Sequence, residues 1–197
     1  MKRNKTPFTN IIAGKYKGKK LSLPSLDTTR SSKSILKESF FNTIQFEIID
    51  KIFIEAFGGS GSMGLEAISR GAKEAYFVEI DKNAFNILKN NIKLVDPNSA
   101  YAIFGDSFVQ VPKIISNIDN VSDIILYIDP PFDIRDGMND IYNRCFKMLE
   151  EFAYNKYQFF LICIEHSSLL NMPKTIQNYT LSKTKKFGKS SLSYYLY

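Results

Sequence analysis

From residue 51 onward, short apolar runs alternate with stretches in which apolar residues recur at helical spacing. The runs Lys51–Phe57, Ala75–Ile80, Tyr101–Phe104, Ile124–Asp129 and Gln158–Glu165 read as strands, and Ser62–Arg70, Lys82–Val95, Phe108–Ser116 and Gly137–Phe152 read as helices. This alternation predicts an α/β fold, with a mostly parallel sheet and helices on both of its faces. Two further alternating segments, Tyr179–Phe187 and Leu192–Tyr197, are separated only by Gly188 to Ser191. They predict an antiparallel C-terminal hairpin that closes the edge of a seven-stranded sheet. Upstream, Leu36, Phe40 and Ile44 predict a helix over Lys33–Phe46, and Pro24 to Ser32 reads as a linker. Residues 11–23 alternate around Gly14 and Gly18 and predict a small β-hairpin.

A chain of 197 residues with 44% hydrophobic content can bury one substantial core. The expected organisation is a basic hairpin extension over residues 1–30 and a main domain over 31–197. Cys145 and Cys163 lack the spacing of a disulfide framework or a zinc site, so no metal is expected. The longest apolar run, Phe159–Ile164, is too short to span a bilayer, and the lysine-rich N-terminus lacks a signal peptide's apolar region. The expectation is a cytoplasmic monomer with no membrane partner.

Charge changes the picture once it is divided along the chain. The net charge is +6, yet residues 1–26 carry seven Lys/Arg and no acid, and residues 166–197 carry five Lys and no acid. The middle is therefore acidic and both ends are basic. Basic ends that meet on one face form a footprint for a polyanion, most naturally nucleic acid. Lys15, Lys17, Lys19 and Lys20 interleave with Tyr16, a pattern that suits phosphates and an unpaired base. The same lysines also suit an edge hairpin guarded against aggregation. Lys186 and Lys189 extend the basic set at the other end.

The first predicted strand runs into Glu55-Ala56-Phe57-Gly58-Gly59-Ser60-Gly61-Ser62-Met63-Gly64. Gly59, Gly61 and Gly64 match GxGxxG between a strand and a helix, and Glu79 lies 20 residues beyond Gly59 at the end of the second strand. An acid there accepts hydrogen bonds from the hydroxyls of an adenosine ribose. Asp81 is placed to cap the following helix, which leaves Glu79 for the ligand. Gly105-Asp106-Ser107 repeats the arrangement after the third strand, where Asp106 serves either an adenine amino group or a helix cap. Ligands of open α/β sheets bind outside the carboxyl ends of the strands, so Gly59, Glu79, Asp106 and Asp129 should share one rim.

The fourth strand delivers Asp129-Pro130-Pro131-Phe132 to that rim. Prolines cannot donate to a sheet ladder, so the strand ends there and the backbone turns outward. A carboxylate, carbonyls and a ring together suit a planar amine: the oxygens accept its N–H bonds and the ring stacks on its face. This stretch argues against a nicotinamide dehydrogenase, and no residue obviously relays a proton for hydride transfer. The one histidine, His166, beside a strand end, reads as structural.

These motifs resemble the class I S-adenosylmethionine-dependent methyltransferases, and within them the RsmD-like enzymes that methylate the exocyclic N2 amine of a guanine in small-subunit (16S) ribosomal RNA. The resemblance is carried by Ile11 to Leu21, by Phe57 to Gly71 with Val78-Glu79-Ile80-Asp81, and by Asp129 to Phe132 with the closing segment Gly188 to Tyr197. It implies a Rossmann-like fold, S-adenosyl-L-methionine as cofactor, and ribosomal RNA or the small subunit as partner. The cofactor set is then Glu55, Phe57, Gly59, Ser60, Gly61, Glu79, Ile80, Asp106, Ser107 and Asp129, and the catalytic set is Asp129, Pro130, Pro131 and Phe132. The chain departs from that family at Arg30-Ser31, where Arg-Pro is usual, at Gly58, where alanine is typical, and over Ser34 to Glu38. Lys37 and Glu38 keep part of the helix pattern, either to close over cofactor or RNA or as a solvated face. A DNA adenine or cytosine amino-methyltransferase shares the Asp-Pro-Pro-Phe logic but leaves no room here for a target-recognition domain. A non-catalytic RNA-binding assembly factor of the same fold is the alternative from another class.

Overall fold

A computed structural model describes residues 7–24, 30–131, 140–155 and 157–197, with residues 30–32 described by backbone alone. Phe132, the start of the helix expected from Gly137, and most of the expected linker lie outside the described residues.

The strand and helix alternation is realised. The elements are β1 (Phe8–Asn10), β2 (Lys20–Ser22), α1 (Arg30–Thr43), β3 (Ile52–Glu55), α2 (Ser62–Ser69), β4 (Glu74–Glu79), α3 (Lys82–Val95), β5 (Ala100–Phe104), α4 (Ser107–Ser116), β6 (Ile124–Ile128), α5 (Ile141–Tyr154), β7 (Leu161–Ser167), β8 (Thr175–Ile176), β9 (Tyr179–Phe187) and β10 (Ser190–Leu196). The main sheet runs β5-β4-β3-β6-β7-β10-β9-β8. Its first five strands are parallel, and β10 runs antiparallel between β7 and β9. Eight strands stand where the sequence predicts seven, because Thr175–Ile176 is too short to carry an alternation. The closing turn is also tighter than expected: Phe187 pairs with Ser190, so Gly188 and Lys189 alone make it.

Strand alternation sorts the core into two layers. Phe53, Ile125 and Tyr127 face α1, α2 and α3, while Ile54, Leu126 and Ile128 face α4 and α5. On the first face, Tyr127 stacks on Phe53 at 6.1 Å between centroids and meets Phe40 of α1 edge-on at 5.2 Å. Each such aromatic contact adds about 0.5–1.5 kcal/mol beyond its buried area. The Leu36, Phe40 and Ile44 stripe is buried as the spacing predicts.

The N-terminal hairpin differs from the sequence expectation. Its ladder pairs Phe8 with Ser22 and Asn10 with Lys20, so residues 11–19 form the connection rather than the strands. That connection is docked on the main sheet's helices. Glu66 of α2, fully buried, accepts the amides of Ile12 (2.7 Å) and Ala13 (3.0 Å) and the Arg70 Nε–H (2.8 Å). Ser69 accepts the Lys15 amide at its carbonyl (2.7 Å) and the Tyr16 amide at its hydroxyl (2.9 Å). A Cβ on Gly14, whose φ is +82°, would fall 1.8 Å from that Ser69 carbonyl oxygen, which leaves only glycine fitting there.

Candidate active site

Five consecutive parallel strands end on one rim, and each brings an acid to it or one or two residues beyond it: Glu55 from β3, Glu79 from β4, Asp106 after β5, Asp129 after β6 and Glu165 in β7. The glycine loop after β3 turns into α2 through Gly61, whose φ is +75° and whose Cβ would sit 2.5 Å from the Leu88 side chain. The loop is held from both sides. Gly58 donates to the Val78 carbonyl at 2.7 Å, and Asn91 of α3 donates to the Ser60 carbonyl at 2.8 Å.

Glu79 is oriented by backbone donors. Its carboxylate accepts the Gly59 amide and the Asp81 amide, each at 2.7 Å, and Asp81 caps α3 by accepting the Ala84 amide at 2.8 Å. The cap expected of Asp81 is therefore present. Ile80, 63% exposed, projects an apolar side chain at the same rim. Asp106 caps α4 through the Phe108 amide (2.9 Å), and its second oxygen accepts Arg144 Nη2 at 3.2 Å. The Arg144 guanidinium also lies 3.9 Å over the Phe108 ring, and Phe108 meets Phe57 edge-on at 5.8 Å. Arg144 was not singled out by sequence reasoning. Ser107, buried, donates to the Ala56 carbonyl and fastens the α4 start to the glycine loop.

A cavity of about 780 Å³ opens on this rim, with Glu55, Phe57, Gly59, Ser60, Met63 and Asp129 on one side and residues 8–12 with Lys17 on another. Its wall includes a cluster that the sequence did not expose. Lys33 of α1 places Nζ 2.9 Å from Asp129 Oδ2 and 2.5 Å from Glu165 Oε1, and Tyr127 donates to Glu165 Oε2 at 2.8 Å. Glu165 is 1% exposed. Burial and the neighbouring Asp129 push its carboxyl up, with Lys33 opposing them. Burial works against the Lys33 charge too, but Asp129 and Glu165 outweigh it and push the ammonium above the ordinary lysine range. Glu165 ends a predicted strand just as Asp129 does, so its position was a usable signal; Lys33 carried none.

Glu55 lies 5% exposed beneath the loop, accepting the Gly64 amide at 2.8 Å. Burial pushes its carboxyl up to about 8. Pro130 is buried and Pro131 exposed, and β6 ends at Ile128. Lys37 is buried, donating to the Asn10 carbonyl at 2.9 Å and lying 3.8 Å from Glu66, so it sits on no solvated face, whereas Glu38 is exposed. His166 is a buried structural residue between the Ser167 carbonyl (2.8 Å) and the Ser193 hydroxyl (2.9 Å).

The basic residues fall into two groups. Tyr16 is flanked by the Lys15 and Lys19 ammonium groups at 4.9 and 5.0 Å from its ring, and its hydroxyl donates to Asp96 at 2.7 Å. Lys19 donates to the Leu94 carbonyl, and Lys20 lies 5.0 Å over the Phe8 ring. Lys186 and Lys189 are exposed on β9 and its turn, elements that pack on β10 and α1.

Residues 9–196 match the family described as conserved hypothetical protein 95. The chain is 34% identical over 140 residues to the ribosomal RNA small subunit methyltransferase D of Haemophilus influenzae, covering 67% of this chain and 70% of that protein. Its fold superposes with a TM-score of 0.73 on the solved structure of yhhF from Escherichia coli, provisionally assigned as a methyltransferase, at 25% identity over 96% of this chain and 98% of that one. It also shares the fold of the protein SMU.776, solved in complex with SAH, at TM-score 0.60 and 12% identity over 92% of this chain and 52% of that one.

Proposed function

Since this chain belongs to the conserved hypothetical protein 95 family, we propose that it transfers a methyl group from S-adenosyl-L-methionine to the N2 amine of a guanine in 16S ribosomal RNA. The observation that carries the reading is the shared cavity: the glycine loop and Asp129 line one space of about 780 Å³, so a nucleoside cofactor and an amine can meet there.

The residues present suit the cofactor. Glu79 offers a carboxylate already fixed by two backbone amides, which fits the two hydroxyls of a ribose. Gly59, Ser60 and Gly61 bring backbone close to the ligand, Phe57 and Ile80 supply apolar surface, and Asp106 and Ser107 border the adenine end. Glu55 lies under the loop. When bound, S-adenosylmethionine supplies a methyl group activated on a sulfonium.

A guanine amine is a weak nucleophile because its lone pair is delocalised into the ring. Asp129 and the Pro130 carbonyl accept its two hydrogens and hold the nitrogen with its lone pair aimed across the cavity, so positioning supplies most of the acceleration. Once methylated, the amine is strongly acidic, and Asp129 or water takes its proton without a tuned base. Pro131 turns the chain out of the sheet, and Phe132 is assigned the stacking contact with the base, worth about 1–3 kcal/mol. The base reaches the cleft from an RNA loop or after leaving its stack. Residues 1–30 serve as an RNA-contacting extension of the methyltransferase domain 31–197, with Lys15, Tyr16, Lys17, Lys19, Lys20, Lys186 and Lys189 on the RNA side. The protein works as a cytoplasmic monomer; no described helix is long and apolar enough to cross a membrane.

The test supplies methyl-labelled S-adenosylmethionine with unmodified small subunits and with naked RNA, then maps the label by mass spectrometry. Label on a guanine N2 of 16S RNA is expected. Asp129→Ala should reduce transfer by about 10³-fold or more while cofactor affinity by calorimetry changes little. Label on DNA alone, or wild-type rates in Asp129→Ala, would reject the reading.

A further inference from the structure

Asp129 follows β6, and Glu165 lies in the adjacent parallel strand β7. Ile128 pairs with Ile164, so one step further along the register brings the two carboxylates side by side. Repulsion between neighbouring carboxylates favours protonation of one of them, and a cation standing between them opposes it. Lys33 is that cation, arriving from α1 with Nζ at 2.9 Å from one carboxylate and 2.5 Å from the other. Among the described residues, the other titratable groups facing the cluster are Glu55 from β3, Lys37 from α1, Tyr127 from β6, Cys163 from β7 and Tyr142 from α5. Burial keeps Tyr127, Cys163 and Tyr142 uncharged at neutral pH, and Lys37 is directed to Asn10 and Glu66. Lys33 therefore supplies the positive charge closest to both carboxylates among the described residues.

We propose that Lys33 is a positioning residue for methyl transfer: its ammonium bridges Asp129 and Glu165, offsets the repulsion between them, and fixes the Asp129 carboxylate against which the acceptor amine docks. The inference rests on the amine-methylating reading above. It adds to it a long-range element: α1 holds an acid that follows β6. Without the ammonium the two carboxylates repel, and the Asp129 carboxylate loses the contact that holds it in place for the amine. Glu165 acts in this scheme through Lys33 and Asp129 and need not touch the base.

The variants Lys33→Met, Lys33→Arg and the double variant Lys33→Met/Glu165→Gln test it with two readouts. The first is a carbon-13 carboxyl titration of Glu165 in the free protein, its signal assigned by its loss in Glu165→Gln; this requires no RNA. The second is kcat/KM against pH on unmodified small subunits. Lys33→Met should raise the Glu165 midpoint by about one pH unit or more, move the acid limb of kcat/KM to higher pH, and recover rate as pH rises. Lys33→Arg should stay near wild type in both. Adding Glu165→Gln to Lys33→Met should return the limb toward its wild-type position, because the repelling carboxylate is gone. An unmoved Glu165 midpoint, or a rate that drops by the same factor at every pH, would overturn the proposal. Wild-type protein that leaves every RNA guanine unmethylated would instead overturn the functional reading, and the Glu165 titration would still decide whether Lys33 holds the pair.

Discussion

Glu55 shows how a single buried acid records its environment. Its carboxyl titrates near 8 because burial disfavours the charge, with the Gly64 amide opposing only in part. A carboxyl raised in the folded state contributes stability that is complete below its unfolded pKa of about 4.3 and is lost as pH climbs through the folded value. Glu55→Gln keeps an acceptor for the Gly64 amide and cannot ionise. Its melting temperature should therefore gain on wild type as pH rises from 5 to 8.5, by on the order of 5–10 °C, and then level off. A gap that stays constant across that range in calorimetric scans would mean that Glu55 is ionised in the fold. At this scale the sequence is readable wherever one residue has a position that means something by itself. Glu79 ends a recognisable strand, Asp129 and Asp106 follow one, and the Asp81 cap is local. Lys33 was not readable, because its meaning comes from partners 96 and 132 positions away.

At the scale of elements, strand and helix periodicity anticipates β3 to β7 and their helices closely, since each buries a face that its own pattern declares. The hairpin is different. Its lysine and glycine alternation covers residues that fold as a connection, because Glu66 and Ser69 on α2 take up backbone amides that a ladder would otherwise use. Gly14 is the residue that allows this approach. Gly14→Ala should cost about 1–3 kcal/mol from the left-handed backbone and the clash with Ser69. Amide exchange should accelerate at Lys15 and Tyr16, which donate to Ser69, while β3 to β6 keep their protection. Unchanged exchange at those two amides would show that the hairpin is held by something other than this seam.

For the whole molecule, the division of charge matters more than its net value. The basic residues assigned to RNA sit on a docked hairpin and on β9 with its turn, far apart in sequence, while acids gather on the strand rim to which the cationic cofactor is assigned. Binding to ribosomal RNA should accordingly weaken steeply with salt. Replacing Lys186 and Lys189 by Ser should flatten the slope of log affinity against log salt by about 0.7 for each phosphate contact removed. A slope identical to wild type in filter-binding titrations would remove these two lysines from the interface. Composition alone made the two basic ends visible. It could not show that Lys19 and Lys15 already lean on Tyr16, which needs the fold.

The placement of β10 bears on how the chain reaches this fold. It is the C-terminal strand, yet it lies inside the sheet, hydrogen-bonded to β7 on one side and β9 on the other, with Tyr194 stacked on Phe40 of α1. Synthesis on the ribosome proceeds from the other end. β7 therefore keeps an open edge, and α1 lacks part of the surface it packs on, until β10 is made and adds to both. The Phe40–Tyr194 contact joins segments far apart in sequence, the kind of non-local pairing that slows folding.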